Sequence, residues 1–494
     1  MKNKDPFFIS ERFLSKLPIL VLLLIFATPI LLLNVSYKIG LFFIAFYVSY
    51  WTVKAFESYV YILAAYIKLL KINKKDYLKT KIIKEDAKNI KFIFVLPYYN
   101  EPYDVIEDSL LSVLHNDYSY KGNVTLLMAP EERSPDVVED VKKIAEKYKN
   151  SAFNIEVIPH PTWIPGEWKV KWANISYAVS EYVKGKWLDR DTTFVITTDW
   201  DVKLEKNFIT IIAYHFLTTE LPNNAIFQFT PVYSNNWTKW TFFARLIAMW
   251  TTFWQLSESQ NPEFYRNFST YWMTLACLEK SNYWSKTSIV EDWFQYWRSY
   301  FAYDGIFRIV NVPAVCKMDV VEEVNLWKTI KSQYKQLRRW SWWCSDVEYV
   351  IPNFFRNKKI PFMEKVRKII YLLLNHAFWA WGSLMLFVIW YFPWIFDHLK
   401  NSTATLAVPL STSIIFTWIF ATIAFPSILS TMIMKKYTKF RKRDYIFNIL
   451  QWVTIPFLTL TLFSFPAIES QFRLFFNKRI DEFQVTAKMT REKK

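Results

Sequence analysis

The sequence contains very little glycine, cysteine or histidine. Only 6 of its 494 residues are glycine while 19% are aromatic, a composition that argues against disorder and low complexity. The three cysteines, Cys277, Cys316 and Cys344, have no metal-binding or redox spacing, so a reducing compartment is the default expectation. The 5 histidines are scattered and form no metal-binding pattern. The length of the chain allows two or three domains.

Positive charge is in excess, with a net charge of +17. Such a charge fits either nucleic acid or an anionic membrane surface, and long apolar runs beside the lysines favour the membrane. Leu17–Val35 is an uncharged apolar run of about the length that spans a bilayer. A signal peptide is the competing interpretation, weakened by the lack of a small-residue cleavage site and by a second apolar run at Ile39–Leu70. The flanking basic residues place the N-terminus and the region after Leu70 in the cytoplasm.

Apolar runs return in the last third of the sequence. Phe354–Arg367 is predicted to be one basic helix on the membrane surface, and Ile369–Phe396 and Thr403–Met434 are each long enough to span. A further apolar run, Tyr445–Ile468, is interrupted by prolines. If it also spans, the C-terminal tail lies outside the cell. We therefore interpret it as a re-entrant or interfacial hairpin bent at Pro456, which keeps the tail in the cytoplasm.

Between the membrane regions, short β-rich runs alternate with helical patterns, which predicts an α/β domain with a mostly parallel sheet. The predicted strands are Lys91–Leu96, Val124–Met128, Asn154–Ile158 and Thr193–Ile196, and the predicted helices are Asp104–Leu114, Val137–Tyr148 and Lys171–Val183. Ligands of such sheets bind at the carboxyl ends of the strands. The chain divides into an N-terminal membrane region (1–75), a cytoplasmic domain (76–352), a C-terminal membrane region (353–470) and a cytoplasmic tail (471–494).

The segment Thr197-Thr198-Asp199-Trp200-Asp201 directly follows the last predicted strand. Its two carboxylates are two positions apart, so at a strand end both reach one ion from the same side of the turn. Carboxylate oxygens suit Mg2+ or Mn2+, which proteins often share with substrate phosphates. The alternative for an isolated Asp-x-Asp pair is a solvated turn.

Four further stretches follow a fixed order around this pair. They are Val95-Leu96-Pro97-Tyr98-Tyr99-Asn100-Glu101, Val290-Glu291-Asp292-Trp293, Gln336-Leu337-Arg338-Arg339-Trp340 and Phe483-Gln484-Val485-Thr486-Ala487-Lys488. Each has an ordinary alternative: a strand and turn, a helix start with favourable acids, an amphipathic surface helix and a disordered tail. Together with the Asp pair, their order resembles the family 2 glycosyltransferases, specifically the membrane-embedded processive branch that includes cellulose, chitin and hyaluronan synthases.

The resemblance implies a glycosyltransferase A-type domain that binds a nucleotide sugar and is inserted between transmembrane helices. It implies that Asp201 and Asp199 hold Mg2+ or Mn2+, with Asp199 also contacting the nucleotide. Asp292 corresponds to the general base that takes a proton from the acceptor hydroxyl. Glu291 belongs to the acceptor site, where it holds Asp292 or raises its pKa by like-charge proximity.

The later motifs supply the remaining implied contacts. Arg339 clamps the diphosphate, Trp340 stacks on the acceptor sugar, and Gln336 adds a hydrogen bond. Thr486 lies in a pattern that marks a gating loop over the nucleotide in cellulose synthases. Lys171 is expected to meet phosphate or the base.

The loop after the second strand departs from the family pattern. Many members have an Asp pair there that contacts the base, whereas this chain has Glu131-Glu132. Glu131 or Glu132 is the expected substitute, with Glu132 assigned to the nucleotide. This departure leaves the identity of the nucleotide's base open, and uridine is the family default.

The sequence thus predicts an inverting, multi-pass membrane hexosyltransferase with a cytoplasmic catalytic domain. It transfers sugar from a nucleotide sugar to a growing polysaccharide, processively and coupled to export, with no nucleic-acid partner. One alternative is a non-processive enzyme that acts on a lipid carrier. Another is a catalytically inactive membrane protein that binds a nucleotide.

Overall fold

The computed structural model describes residues 11–72, 75–235, 237, 241–323, 325–389 and 423–480. The chain forms two compact units. Of the described residues, those within Met1–Leu63, Thr238–Ile247 and Val321–Ile480 form the helical unit, and those within Ala64–Trp237 and Ala248–Val320 form the sheet unit. The described residues of 321–352 group with the helical unit, and the predicted boundary of the catalytic domain at 352 stays a prediction.

The sheet unit is built on an eight-stranded mixed sheet with the order β3-β2-β1-β4-β7-β6-β8-β5. The strands are β1 (Lys91–Tyr98), β2 (Val124–Pro130), β3 (Asn154–Val157), β4 (Thr193–Thr197), β5 (Lys203–Leu204), β6 (Ala225–Val232), β7 (Tyr271–Thr274) and β8 (Arg308–Lys317). Strands β1 to β4 pair in parallel, as do β6 and β8, whereas β5 and β7 are antiparallel to their neighbours. The predicted α/β class is confirmed.

The central strands are buried because their sequences are nearly continuous apolar runs. Every residue of β2 and β4 is buried, and only Lys91 of β1 is exposed. This is typical of parallel strands covered by helices on both faces. The carboxyl ends of β1, β2 and β4 meet at one edge of the sheet, where Val95 pairs with Thr197 and Tyr98 with Pro130. The segment after β4 begins at this edge.

The three helices predicted in the sheet unit lie within two residues of their observed ends. In chain order they are α1 (Glu11–Leu14), α2 (Leu17–Val35), α3 (Tyr37–Ile72), α4 (Lys81–Glu85), α5 (Tyr103–Leu114), α6 (Pro135–Lys147), α7 (Lys171–Val183), α8 (Phe208–Leu217), α9 (Phe242–Glu258), α10 (Leu275–Lys280), α11 (Glu291–Ala302), α12 (Leu326–Ser341), α13 (Val347–Arg356) and α14 (Phe362–Val388). Residues 423–437 are also helical, and the C-terminal helices are Lys442–Leu450, Ile455–Leu458 and Phe465–Phe475.

Four helices among the described residues are long and apolar enough to cross a membrane: Glu11–Val35, Tyr37–Ile72, Phe362–Val388 and Lys442–Phe475. Within the helical unit, they pack through small and aromatic residues. Ala377 and Ala380 of α14 contact Ile19 and Leu22 of α2 in one apolar cluster. A Cβ atom at Gly382 would lie 3.2 Å from the indole of Trp51, so glycine permits this close approach of α14 and α3.

Two predictions about the C-terminal region are wrong. Phe354–Arg367 is not one helix, because α13 ends at Arg356 and α14 begins at Phe362 after Pro361. Proline disfavours a helical conformation in the residue before it, which explains the break. Tyr445–Ile468 is not a hairpin bent at Pro456. The residues between the three C-terminal helices are also helical, so the chain runs from Lys442 to Phe475 without reversing direction. Residues 390–422, which contain parts of two predicted spans, lie outside the described residues.

Candidate active site

Asp199 lies just beyond β4 and is held by two side chains. Lys171, the first residue of α7, places its Nζ 2.6 Å from Asp199 Oδ1. The Ser269 hydroxyl donates a hydrogen bond to Asp199 Oδ2. Lys171 had been predicted to meet phosphate or the base, and the structure brings it to the Asp199 carboxylate. The carboxylate of Asp199 therefore has a fixed orientation at the carboxyl end of β4.

Asp201 is nearly buried, with 4% of its surface exposed. Its Oδ2 accepts a hydrogen bond of 3.0 Å from the backbone N–H of Asp319, which follows β8. The Asn235 amide donates to the backbone oxygen of Asp201 at 3.2 Å. The segments that follow β6 and β8 thus hold the loop that carries both carboxylates. Neither Asn235 nor Asp319 lies in any of the motifs described in the sequence analysis.

Asp292 is in the first turn of α11, as the sequence predicted. Its Oδ2 accepts a hydrogen bond of 3.1 Å from the backbone N–H of Ser269. The Asn267 side chain donates to the backbone oxygen of Asp292. Ser269 therefore contacts both Asp199 and Asp292, and the two predicted catalytic motifs meet at one residue.

Tyr233 is a site residue that the sequence analysis missed. It directly follows β6 and is nearly buried. Burial, and then the charges of Asp201, Asp199 and Asp292, raise the pKa of its hydroxyl above the ordinary value. A hydroxyl that stays protonated is a hydrogen-bond donor among acceptors. Nothing in the sequence distinguishes Tyr233 from the rest of the 29 tyrosines.

Glu291 points away from this cluster. Its Oε1 accepts from the backbone N–H of Ser285 at 2.7 Å and lies 3.7 Å from Arg298 Nη1, and its surface is 0% exposed. This burial contradicts the prediction that Glu291 belongs to the acceptor site, because no ligand reaches a side chain without exposed surface. Adjacent helical residues point about 100° apart, so one acid of the pair faces the core. Glu291 instead fixes the loop before α11.

The burial of Glu291 also makes the stability of the folded protein depend on pH. Desolvation raises its pKa from 4.5 to about 8, with Arg298 opposing the shift. Between these values the unfolded chain releases a proton that the folded chain keeps, so rising pH lowers the free energy of unfolding by at most about 1.4 kcal/mol per pH unit. The stabilisation is full below about pH 4.5 and is lost as the pH rises through about 8.

We expect Glu291→Gln to remove this part of the pH dependence, because glutamine resembles the protonated acid. Melting temperatures of the purified protein, measured between about pH 5 and 8.5, should fall less steeply in Glu291→Gln than in wild type. Glu279→Gln is the matched control, since Glu279 is partly exposed beside Arg190. An unchanged slope in Glu291→Gln would contradict the assignment.

The nucleotide side of the predicted site lies at the carboxyl ends of β1 and β2. Glu131 is buried and pairs with Arg133, whose guanidinium stacks over the Tyr99 ring at 3.9 Å. Glu132 is exposed, and its backbone N–H donates to the His160 carbonyl at 2.9 Å. Of the two glutamates, Glu132 has the accessible carboxylate and Glu131 orients an arginine. The nucleotide role of Glu132 stays a prediction.

The later motif residues belong to the helical unit. Gln336, Arg339 and Trp340 lie on α12 and are each partly exposed. Thr486 lies outside the described residues. Their predicted contacts with a substrate stay predictions. Over the described part of the chain, no group of three or more His, Cys, Asp or Glu side chains could hold a metal ion.

A carboxylate on the last described helix holds α12. Glu469 Oε1 accepts from Arg338 Nη1 at 2.8 Å and from Arg473 Nε at 2.7 Å, and its Oε2 accepts from the Tyr334 hydroxyl at 2.8 Å. The hydroxyls of Ser341 and Ser470 lie 2.8 Å apart one turn away. Bonds that involve charged groups are roughly twice as strong as neutral ones, so Glu469 fixes the rotation of α12.

No protein-family model matches this chain, and no curated protein matches its sequence. Among solved structures, the mannosyltransferase PcManGT from Pyrobaculum calidifontis, in complex with GDP-Man and Mn2+, is 13% identical, with a TM-score of 0.42 over 80% of this chain and 98% of that chain.

Two other matches are weaker in TM-score. TarS from S. aureus is 13% identical, with a TM-score of 0.33 over 74% of this chain and 55% of that chain. GalNAc-T7, solved with UDP, GalNAc and Mn2+, is 10% identical, with a TM-score of 0.37 over 60% of this chain and 61% of that chain. Likenesses at this level do not assign a function, which therefore has to be argued from the site itself.

Proposed function

We propose that this protein is a membrane glycosyltransferase that transfers a sugar from a nucleotide sugar to an acceptor hydroxyl. The observation that carries the proposal is the meeting of Asp199 and Asp292 at Ser269, at the carboxyl edge of the sheet. A donor-binding carboxylate and a candidate base from distant parts of the chain are held by one residue. Edges of this kind are where ligands of α/β sheets bind.

A divalent cation fits the chemistry of this site. Asp199 and Asp201 offer carboxylate oxygens, the ligands that Mg2+ and Mn2+ prefer. Because the described residues hold no cluster of three metal-binding side chains, the remaining ligands would be donor phosphates and water. The cation would neutralise the charge that develops on the departing diphosphate. Lys171, beside Asp199, adds a second positive charge there.

Asp292 is the proposed general base. In the proposed reaction the acceptor oxygen forms a bond to the anomeric carbon as the bond to the diphosphate breaks, and the acceptor proton passes to Asp292. Attack from the side opposite the leaving group inverts the anomeric centre. The hydrogen bond from the Ser269 N–H holds the Asp292 carboxylate in a fixed direction before the acceptor arrives.

The processive part of the proposal rests on the helical unit. Arg339 is assigned to the diphosphate, Trp340 to the acceptor sugar and Gln336 to a supporting hydrogen bond. An indole face suits a sugar ring, and a guanidinium suits phosphate. The fixed rotation of α12 and four apolar helices long enough to span support a multi-pass enzyme that extends a polysaccharide and exports it. A uridine nucleotide is the first donor to try.

The test is an assay of the purified full chain in vesicles, with Mg2+ or Mn2+ and a panel of labelled UDP- and GDP-sugars. A high-molecular-weight labelled product supports the processive enzyme and identifies the donor. A short product soluble in organic solvent supports transfer to a lipid carrier instead. No nucleotide release from any donor in the panel overturns the catalytic proposal.

A further inference from the structure

Ser269 has an unusual backbone conformation for a serine. It lies two residues before the start of β7 with a φ of 49°, in the left-handed region that residues other than glycine rarely adopt. In this conformation its N–H donates to Asp292 Oδ2 and its hydroxyl donates to Asp199 Oδ2. Glycine in its place would relieve the backbone strain but would lose the hydroxyl bond.

A buried glutamine holds the segment around Ser269. Gln228 of β6 is 1% exposed, and its Nε2 donates to the carbonyls of Phe268 and Thr270 at 3.0 Å each. Its Oε1 accepts from the N–H of Phe268 at 2.6 Å. The residues on both sides of Ser269 are thus bonded to one side chain. A buried network with this many satisfied groups tolerates little displacement.

We propose that Ser269 is a positioning residue that sets the distance between Asp199 and Asp292, and that Gln228 keeps Ser269 in the conformation this requires. The inference rests on the proposed transfer reaction and adds a role to a residue that takes no part in bond making. Two carboxylates of like charge would otherwise repel each other. Two donors from one residue hold both in place and offset that repulsion.

Transfer depends on this alignment. The acceptor oxygen, held by Asp292, must lie in line with the bond that breaks at the donor, which Asp199 helps to hold. A misplacement of about 1 Å can cost about a hundredfold in rate even when all reacting groups remain. Loss of the Ser269 hydroxyl leaves Lys171 on Asp199, so nucleotide binding should survive while transfer slows.

The test compares three replacements of Ser269 in the purified full chain. Ser269→Gly should lower kcat at least about tenfold, while Kd for UDP or GDP with Mn2+ stays within about threefold of wild type. Its melting temperature should fall less than that of Ser269→Ala, because both variants lose the hydroxyl bond but only glycine accepts a positive φ readily. Ser269→Ala should slow transfer similarly. Ser269→Asn should recover much of the rate, because asparagine tolerates the left-handed region and keeps a donor.

Leu221→Gly is the matched control for backbone strain. Leu221 has the same φ of 49° and a largely exposed side chain before a short turn. Leu221→Gly should show the effect of strain relief alone on the melting temperature and should keep the wild-type kcat. A wild-type kcat in Ser269→Gly would overturn the proposal and leave the transferase function intact.

A second measurement does not depend on activity. If the wild type transfers no sugar, the proposed function fails, and the contact is then tested by thermal unfolding. Ser269→Ala and Asp199→Asn, alone and combined, should show non-additive shifts in melting temperature, because residues in one hydrogen-bond network couple. Additive shifts would overturn the contact between Ser269 and Asp199.

Discussion

Asp292→Asn is expected to slow sugar transfer by about a thousandfold while nucleoside diphosphate still binds. Asparagine has the size of aspartate and still accepts the hydrogen bond from the Ser269 N–H, which measures 3.1 Å in the wild type. It cannot take the proton of the acceptor hydroxyl, so only the chemical step is lost. The rate is measured with the donor found in the panel assay, and binding is measured by titration with UDP or GDP and Mn2+.

Asp136→Asn is the matched control for this prediction. Asp136 is also an acid in the first turn of a helix, α6, and its side chain is exposed. The helix dipole favours both acids, so a role limited to helix stability would give the two variants similar effects. We expect wild-type transfer from Asp136→Asn. If Asp292→Asn retained more than about a tenth of the wild-type rate, Asp292 would not be the base.

Asp201→Asn is expected to abolish the effect of Mn2+ on nucleotide binding and to slow transfer by about a hundredfold or more. The Asp201 carboxylate is nearly buried. A partner of opposite charge from outside the chain would therefore be a small cation, either alone or bound to phosphate. The Asp201 Oδ2 accepts a bond from the Asp319 N–H, which an amide oxygen also accepts, so the loop should keep its shape. Calorimetric titration of UDP or GDP, with and without Mn2+, measures the effect.

The comparison variant is Asp108→Asn. Asp108 is a partly exposed carboxylate of the sheet unit and pairs with Lys203 at 3.2 Å. Its loss should leave the Mn2+ effect at the wild-type value. The metal assignment fails if Mn2+ strengthens nucleotide binding in Asp201→Asn by the wild-type factor.

Much of the first half of the sheet unit could be predicted from the sequence. Strands β1, β2 and β4 are short apolar runs, β3 alternates polar and apolar residues, and α7 was predicted with its observed ends, Lys171 and Val183. The errors lie at the strand ends. β1 continues through Pro97 to Tyr98 because Pro97 still pairs in register with Ala129, a contact between strands that a local pattern does not contain.

The later strands were not found because their sequences lack a regular pattern. β6 contains Gln228 and Pro231, and the register of β6 against β8 shifts between Phe229 and Thr230. Proline cannot donate to the ladder and usually marks an edge or an irregularity. Such strands depend on partners that are distant in the chain, so their pairing is fixed by tertiary contacts.

The motifs of the candidate site could be predicted from the sequence, but the contacts between them could not. The Asp pair and Asp292 stood out as carboxylates at element ends, and the structure brings Asp199 and Asp292 to one residue. Which of Glu291 and Asp292 faces inward depends on the rotation of α11, and the sequence leaves that open. Ser269 lies in no motif, because no sequence pattern predicts a positive φ at a serine.

The contact between Arg338 and Glu469 joins residues 131 positions apart. A ribosome that adds about 5–20 residues per second completes α12 on the order of ten seconds before it makes the carboxylate that holds it. During that interval every carboxylate of the sheet unit already exists, while Arg338 and Tyr334 still lack Glu469. A polypeptide that ends before Phe465 lacks Glu469 and with it the bonds that hold Arg338 and Tyr334 of α12. By the proposed roles of Arg339 and Trp340, the nascent polypeptide would not consume its donor until the helix that carries Glu469 has been synthesised.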